Sequence, residues 1–470
     1  MARIAVIGAG MGAMAAAARL AVAGHRVTVY ERSSTYGGAV RRFERDGFAF
    51  DTGPGLLQLP AVYRDLFVKT GREPLEKCVE LVQVDPASRH LFADGSDVLL
   101  PNASRAGVVA ALDAALGGGA GARWGEFLDR ARVTWDRTRR PLLEEPLPAD
   151  PAPLGDDPYP ALRTGLLRRS ASTLAEVGSR ELRDPRLAAL LGSYALSYGF
   201  DPLTVPASAA VLPYMEQTFG NWYVRGGMRA LADAVYQRCL ARRVEFVFGS
   251  EVVDVTEKDG RACGLELADG QRVVADQVVA GAPVRSVSWP QREAGPRTGR
   301  VVVCLALRGE RPADAVHRTV VHRADEDLPM VTVLRPGDPE LVPGEGHEAL
   351  TLTVTVPVTD GAADEVPPGF ADRVVAAAEA AVPGLRERVL WREVRTPADT
   401  LRETGTLRVP GPALAGAHGQ LLPAPNRSPL SGLSFVGGWS HPGGGLPHAG
   451  MSGALAAGLI VEGEGFRGSQ

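Results

Sequence analysis

The chain has 470 residues, 45% hydrophobic and 23% charged, with 51 basic against 55 acidic side chains and a formal charge of −4. At roughly 150 residues per domain it holds about three units, or two large ones, each able to bury a core; the globular composition excludes wholesale disorder and fibrous repeats, and the charge argues against a nucleic-acid partner. Cys78, Cys239, Cys263 and Cys304 form no C-x-x-C pair, so neither a zinc site nor a disulfide framework is expected and a reducing cytoplasm fits best, while no uncharged apolar run reaches the roughly 18 to 20 residues that span a bilayer.

In chain order, RIAVI at 3 to 7 predicts a strand, GAGMGA a tight turn and AMAAAARLAVAG a helix. Gly8 permits the turn, Gly10 lets the backbone approach a pyrophosphate, and Ala13 takes the third position, where Gly or Ala allows close helix packing. The helix beginning near Gly12 would set its N–H groups and positive dipole end against the phosphate. That unit explains the Ala-rich stretch after Arg3 better than a signal peptide does. A second strand, HRVTVYE, ends at Glu31, about 20 residues on, where a carboxylate accepts ribose hydroxyls; the adjoining Arg32 is a second candidate contact. The competing reading is an ordinary βαβ turn with Glu31 as a surface acid.

Residues 35 to 55, TYGGAVRRFERDGFAFDTGPG, add the pair Gly37–Gly38 and an apolar alternation ending in Asp51–Thr52–Gly53–Pro54. A second glycine pair is characteristic of glutathione-reductase-type FAD proteins, which the chain resembles here. The longer string GFAFDTGPGLLQLPAVYRDLF narrows the resemblance to phytoene-desaturase-type carotenoid oxidoreductases. Ala39 departs from that pattern, in which Arg or Lys often follows the glycine pair; Gly38 with Arg41, or else Arg42, is expected at the phosphate.

From 104 to 140 two helical patterns flank GGGAGA at 117 to 122, which no strand precedes, so this cluster is an inter-helix turn and not a second phosphate loop. Residues 141 to 162 are Pro-rich and acidic and read as an extended connector or mobile lid. The stretch from about 76 to 222 forms an insertion resembling the family's substrate domain, in which a DPRL helix, a Tyr-Gly-x-x-Pro segment and an aromatic-Gly-Gly-Met turn recur in that order. From 228 to 282 a helix is followed by strands separated by Asp-Gly turns; the fold resemblance implies that backbone at Val252 reads the adenine. Alternating strands between about 286 and 415 are expected to floor a substrate pocket. The whole is expected to be α/β, with a discontinuous Rossmann-like FAD-binding domain from residues 1–75, 223–285 and 425–470. An inserted substrate domain of β-sheet plus helices, with a membrane-facing part, takes 76–222 and 286–424.

The most specific motif is LSFVGGWSHPGGGLPHAGMSGALAAGLI at 433 to 460. A strand runs out at Gly437–Gly438, a Gly/Pro loop crosses His441 to Pro447, and a helix begins near His448, aiming a second helix N-terminus at an electron-rich group. It closely resembles the family's flavin-closing signature, which implies flavin contacts at Gly438, Gly445, Leu446 and Pro447. His441 is suited either to a proton shuttle or to fixing the loop by hydrogen bonding. His317 and His322, five apart, lack a helical zinc-protease pattern, and no metal is expected. The Arg-rich pieces at 130 to 141 and 162 to 170 are solvated helix faces or, in a sharper reading, contacts to a membrane surface from which a lipid-dissolved substrate is collected.

The resemblance thus implies an FAD-dependent desaturase introducing C=C bonds into a long apolar polyene, threaded past the flavin by Tyr214, Trp222 and Tyr223. Only one dinucleotide fingerprint is present, so electrons pass to oxygen, a quinone or another external acceptor. Location in the cytoplasm, peripheral at the inner membrane face, would follow. Three alternatives remain. A flavin-dependent cis–trans isomerase would share the site. A flavin amine oxidase would need a lysine counterpart that Lys69, Lys77 and Lys258 do not obviously provide. A flavin-free prenyl-binding chaperone similar to the Rab GDP-dissociation inhibitors sits poorly with an intact Gly8, Gly10, Glu31 and Gly37–Gly38 set.

Overall fold

A strand whose every residue is apolar needs cover on both faces, which in αβ proteins means a parallel sheet between helices. The computed structural model, which describes residues 1–162, 171–285, 297–323, 325, 328–359 and 366–468, builds that arrangement from three distant parts of the chain. Strands β1 (Arg3–Ile7), β2 (Arg26–Glu31), β3 (Glu245–Phe248), β4 (Gln277–Ala280) and β5 (Leu433–Phe435) form a five-stranded parallel sheet in the order β5-β4-β1-β2-β3. Helices α1 (Met11–Val22), α2 (Met228–Ala241) and α3 (Leu446–Glu462) pack together beside it.

Ala15 to Ala18 are all fully buried in α1. Gly12 meets α3 backbone to backbone: a Cβ there would stand 2.8 Å from the Ala449 carbonyl oxygen and 2.9 Å from Gly437 Cα. From the other side, a Cβ at Gly453 would overlap the Gly12 carbonyl oxygen.

The second unit is a seven-stranded mixed sheet with Thr298–Arg308 paired along its length to His347–Pro357. Ser88–Leu91 runs parallel to Arg318–His322, so segments from both halves of the expected substrate domain share one sheet. Helices Arg105–Leu116, Ala120–Arg139, Pro185–Ser197 and Val211–Phe219 bury Trp124, Phe127, Leu187, Leu190 and Leu212 in a separate core. Gly117 to Gly119 turn between the first two of these helices with φ of +66°, +58° and +72°, values that only glycine adopts freely. The Pro-rich stretch after Arg140 is not a loose connector throughout: Leu142 and Leu143 are buried in a π-helical turn over Arg140–Glu144. Of the Arg-rich segment 162 to 170, only Leu162 falls among the described residues.

Asp51 joins the two units. Its carboxylate accepts from the backbone N–H groups of Met228 at 2.6 Å and Arg229 at 3.2 Å, closing the start of α2. The preceding Gly226 and Gly227 have φ of +79° and +85°, and a Cβ at Gly227 would lie 2.9 Å from Asp51 Oδ2. Burial outweighs these donors and pushes the carboxyl from 3.8 up to about 6. A group with a raised folded pKa binds more protons folded than unfolded, so its contribution to stability is complete below pH 3.8 and is lost as the pH rises through 6. Relative to Asp51→Asn, the wild type should therefore lose at most about 3 kcal/mol of stability between pH 3.5 and 7. Thermal melts of both proteins at the two pH values check this, and a difference independent of pH would contradict it.

Candidate flavin site

At the N-terminal loop Gly8 has φ +82° and donates to the Tyr30 carbonyl at 2.8 Å. Gly10 caps α1 with φ −71° and ψ 166°. A Cβ on Gly10 would meet no protein atom within 4 Å, whereas one on Gly38 would stand 3.0 Å from Gly10 Cα. The two glycine motifs therefore pack directly together, joined where the Gly37 N–H donates to the Ala9 carbonyl at 2.8 Å, and leave open space on the Cβ side of Gly10. Ala13 is buried, with its Cβ 3.1 Å from where one on Gly281 would be.

Glu31 is 7% exposed. Its Oε2 accepts from the Ala9 N–H at 2.7 Å, and its Oε1 from the Ser33 N–H and hydroxyl at 2.8 Å. Ser250 donates to the Glu31 carbonyl at 2.9 Å and Gly249 to that of Ser33 at 3.1 Å, which brings the start of strand Val252–Lys258 beside Glu31. Arg41 stays at this loop, donating to the Gly38 carbonyl at 3.0 Å and the Ser33 hydroxyl at 3.2 Å. Arg32 turns away from it and donates to the Arg402 carbonyl at 2.9 Å; Arg42 pairs with Glu44 at 3.0 Å.

The C-terminal loop lies across α1. Helix α3 begins at Leu446, a turn's fraction earlier than the sequence suggests, after Gly445 at φ +103°. A Cβ on Gly438 would stand 2.9 Å from Pro410 Cγ, and one on Gly444 would overlap the Pro410 carbonyl, so this loop has no room for side chains. The Tyr63 hydroxyl donates to the Leu446 carbonyl at 2.9 Å, and Pro447 occupies the first helical turn, where its missing N–H costs nothing. The Asn426 amide nitrogen lies 2.7 Å from the His441 carbonyl, and the Ser440 and Ser452 hydroxyls are 2.9 Å apart.

His441 is fully buried, and its Nε2 lies 2.9 Å from the Glu145 carbonyl. A carbonyl only accepts, so Nε2 carries the proton. Burial pushes this imidazole down to about 4 against the opposing effect of the Glu145 carbonyl. The structure gives His441 the bracing geometry: one nitrogen ties the loop to the turn after Arg140. Buried atoms Asn426 Oδ1, His441 Nδ1 and His448 Nδ1 have no partner among the described residues.

Beside this loop lies a narrow cleft, partly open to solvent, whose lining includes Trp135, Leu143, Met215, Ala413 and His448, with Arg139 also present. The Tyr214 ring sits 6.2 Å from that of Trp135. Trp222 and Tyr223 do not join it there, because they lie in a strand paired with Leu81–Gln83. Trp222 carries the Arg64 guanidinium 5.5 Å over its ring, and the Tyr223 hydroxyl donates to Asp338 at 2.7 Å. Nor do the strands of the large sheet floor this cavity; helices and the segment Pro412–Ala415 enclose it.

Sequence reading missed the buried pair Arg318–Glu216, 2.7 Å apart with side chains 9% and 7% exposed. Glu216 also accepts from Gln58 at 2.8 Å, and Gln58 from the Tyr198 hydroxyl at 2.8 Å. Tyr198 Cε1 stands 3.5 Å from where a Cβ on Gly445 would be, so this polar chain reaches the loop. The only signal in the sequence is a charge at the start of a short β-prone run, RTVVH. His322 bonds His90 at 3.0 Å, and the His317 ring lies 4.9 Å from that of Tyr223; burial lowers both histidines to about 4. Among the described residues no three His, Cys, Asp or Glu side chains converge as a metal site.

A parallel sheet with glycine loops at two converging helix N-termini defines a Rossmann-type dinucleotide-binding protein. The open space over Gly10 and the unpaired polar atoms at the far loop fit a flavin bound between them. The chain belongs to the flavin containing amine oxidoreductase family, whose model matches residues 14–461. It is 29% identical to a 4,4'-diapolycopene oxygenase of Methylomonas sp, covering 98% of both chains. It is also 29% identical to a zeta-carotene-forming phytoene desaturase of Myxococcus xanthus, over 98% of this chain and 93% of that one. A putrescine oxidase structure superposes with a TM-score of 0.69 at 15% identity, over 98% of this chain and 99% of the other, and shows the shared fold. The protein is a flavin-dependent oxidoreductase.

Gly10→Val checks the phosphate loop. The backbone at Gly10 suits any L residue and the protein leaves space for the side chain, so the variant should purify colourless yet fold with the melting profile of flavin-stripped wild type. Full flavin content in folded Gly10→Val would remove the assignment.

Proposed function

We propose that the protein is an FAD-dependent desaturase acting on a long apolar polyene of carotenoid type. The observation that carries this reading is the cavity: its walls are mainly apolar, and it meets the glycine loop at His448. The names of the two relatives, a carotenoid oxygenase and a carotene-forming desaturase, support the substrate class. The full dinucleotide is supported by Glu31 at the ribose position, the approach to Val252 at the adenine position, and the space over Gly10 for a pyrophosphate. An amine oxidase must receive a cation, but among the described residues no Asp or Glu lines this cavity, which disfavours that reading.

When bound, the flavin supplies the two-electron acceptor for hydride from a saturated carbon. The chain's residues hold, orient and dry the site. The Gly8–Gly12 loop presents the N–H groups of α1 to phosphate, the start of α3 faces the opposite end with its positive dipole, and Trp135, Leu142 and Leu143 exclude water. Selectivity on a chain with no polar handle at the reacting bond comes from the shape of that wall. The electrons leave to oxygen or a quinone.

Anaerobic addition of the true substrate should bleach the oxidised flavin absorbance, with one two-electron reduction per new double bond. Product formed with the flavin oxidised throughout and no acceptor consumed would replace desaturation by isomerisation.

Substrate collection from a membrane surface is part of the same proposal. Val133 is 39% and Phe219 37% exposed, and the Phe219 ring lies 5.8 Å from that of the cavity residue Trp135. Among the described residues no helix is long and apolar enough to cross a membrane, so contact would be at the surface. Flotation with anionic liposomes should retain the protein at low salt and release it at high salt, at about 1 kcal/mol per basic residue near the leaflet. No flotation at low salt would end this part of the proposal.

A further inference from the structure

One cation beside the glycine loop has no counterpart. Arg300 is half-buried near the start of Thr298–Arg308. Its guanidinium donates once, to the Ser197 carbonyl at 2.9 Å, at the end of the helix Pro185–Ser197. Its other N–H groups have no partner among the described residues and are not sealed in by protein. Burial pulls the guanidinium below its ordinary value, and among the described residues only Tyr198 opposes this. Arg300, Arg318 and Glu216 all act on the Tyr198 hydroxyl. Because Arg318 is matched by Glu216, the charge of Arg300 is left over.

Two links set that charge at the loop. Tyr198, the residue after Ser197, places its Cε1 3.5 Å from where a Cβ on Gly445 would be. On the other side the Val409 N–H donates to the Thr298 carbonyl at 2.7 Å, and the next residue, Pro410, lies against Gly438 and Gly444. The end of a helix offers only about half a negative charge, and an enclosed charge without a full partner is strongly unfavourable, so the arrangement calls for an anion. Hydride carries two electrons and one proton, and a flavin that takes it without a second proton becomes that anion; the substrate carbon gives up the hydride, and its neighbour releases a proton to solvent. We propose that Arg300 supplies the positive charge that the loop end of the bound flavin faces in its reduced, anionic state, and thereby raises the reduction potential of the cofactor. It adds a full charge to the partial one at the start of α3. The inference rests on the placement of flavin between the two glycine loops and is independent of the identity of the substrate.

The test is a redox titration of the holoenzyme against dyes of known potential. Arg300→Gln keeps an N–H for the Ser197 carbonyl but removes the charge. It should lower the reduced-to-oxidised ratio at a fixed potential about tenfold, the worth of one charge roughly 10 Å away at an effective dielectric constant of about 20, which for a two-electron couple is a fall of about 30 mV. Arg300→Lys keeps the charge and should stay at the wild-type potential. Flavin absorbance and melting temperature report whether each variant is loaded and folded; a residue that merely braced the helix end would change the melting temperature and leave the potential alone. Should Arg300→Gln not fold, Thr355→Asp decides: Thr355 lies opposite Arg300 in the paired strand, so a carboxylate there should cancel the charge and lower the potential, whereas Thr355→Asn should not. An unchanged potential in folded, flavin-loaded Arg300→Gln, an equal fall in Arg300→Lys, or equal potentials in the two Thr355 variants would overturn the inference and leave the flavin site standing. A wild type that binds no flavin would remove the site assignment together with the inference.

Discussion

Where Gly12 faces Ala449 and Gly437, α1 and α3 approach more closely than any side chain permits, and the placement of every other group at the site follows from that approach. The Ala-rich face of α1 loses almost no side-chain entropy on packing, and its flatness lets two helix N-termini stand side by side. Each brings unpaired N–H groups and a partial positive charge to one region. A negatively charged, flat, two-ended cofactor is the natural occupant of such a region. In the proposed reading, phosphate takes the loop with the open space over Gly10 and the ring system lies toward the start of α3.

The substrate layer is held to that region by polar contacts whose geometry is more important than their energy. The buried Arg318–Glu216 pair repays its desolvation only through close geometry and further hydrogen bonds, and Gln58, Asn221 and Tyr198 supply them. On the other flank the Glu145 carbonyl holds His441. The glycine loop is thus fixed from both sides by elements that also bound the cavity, so the shape offered to substrate and the shape offered to flavin are set together.

Features governed by neighbours in sequence were legible in the chain. The strand, glycine turn, helix and acid of residues 3 to 31 depend on local spacing, and the structure folds them as read. The same holds for the Gly117–Gly119 turn and the strands of 245 to 280. Features governed by distant partners were not. Tyr214, Trp222 and Tyr223 look alike as aromatics within ten residues, yet a strand pairing with Leu81–Gln83 carries two of them away from Trp135. Glu216 and Arg318 lie in unrelated segments, and nothing in either announces the other. His441 and His448 sit seven residues apart in one motif, but only the fold shows that the first is tied to Glu145 and the second faces the cavity.

The closeness of Gly12 to Gly453 also sets a timetable for the newborn chain. Ribosomes add about 5–20 residues per second, so α1 waits on the order of half a minute for the helix that covers its alanine face. Meanwhile β1 lacks β4 and β5, and the phosphate loop lacks the opposite wall of its site. Contacts of such long sequence separation form late and slowly. The alanine face is therefore a surface that chaperones can meet during synthesis, and the nascent polypeptide acquires its complete flavin cradle only after nearly all its residues have emerged.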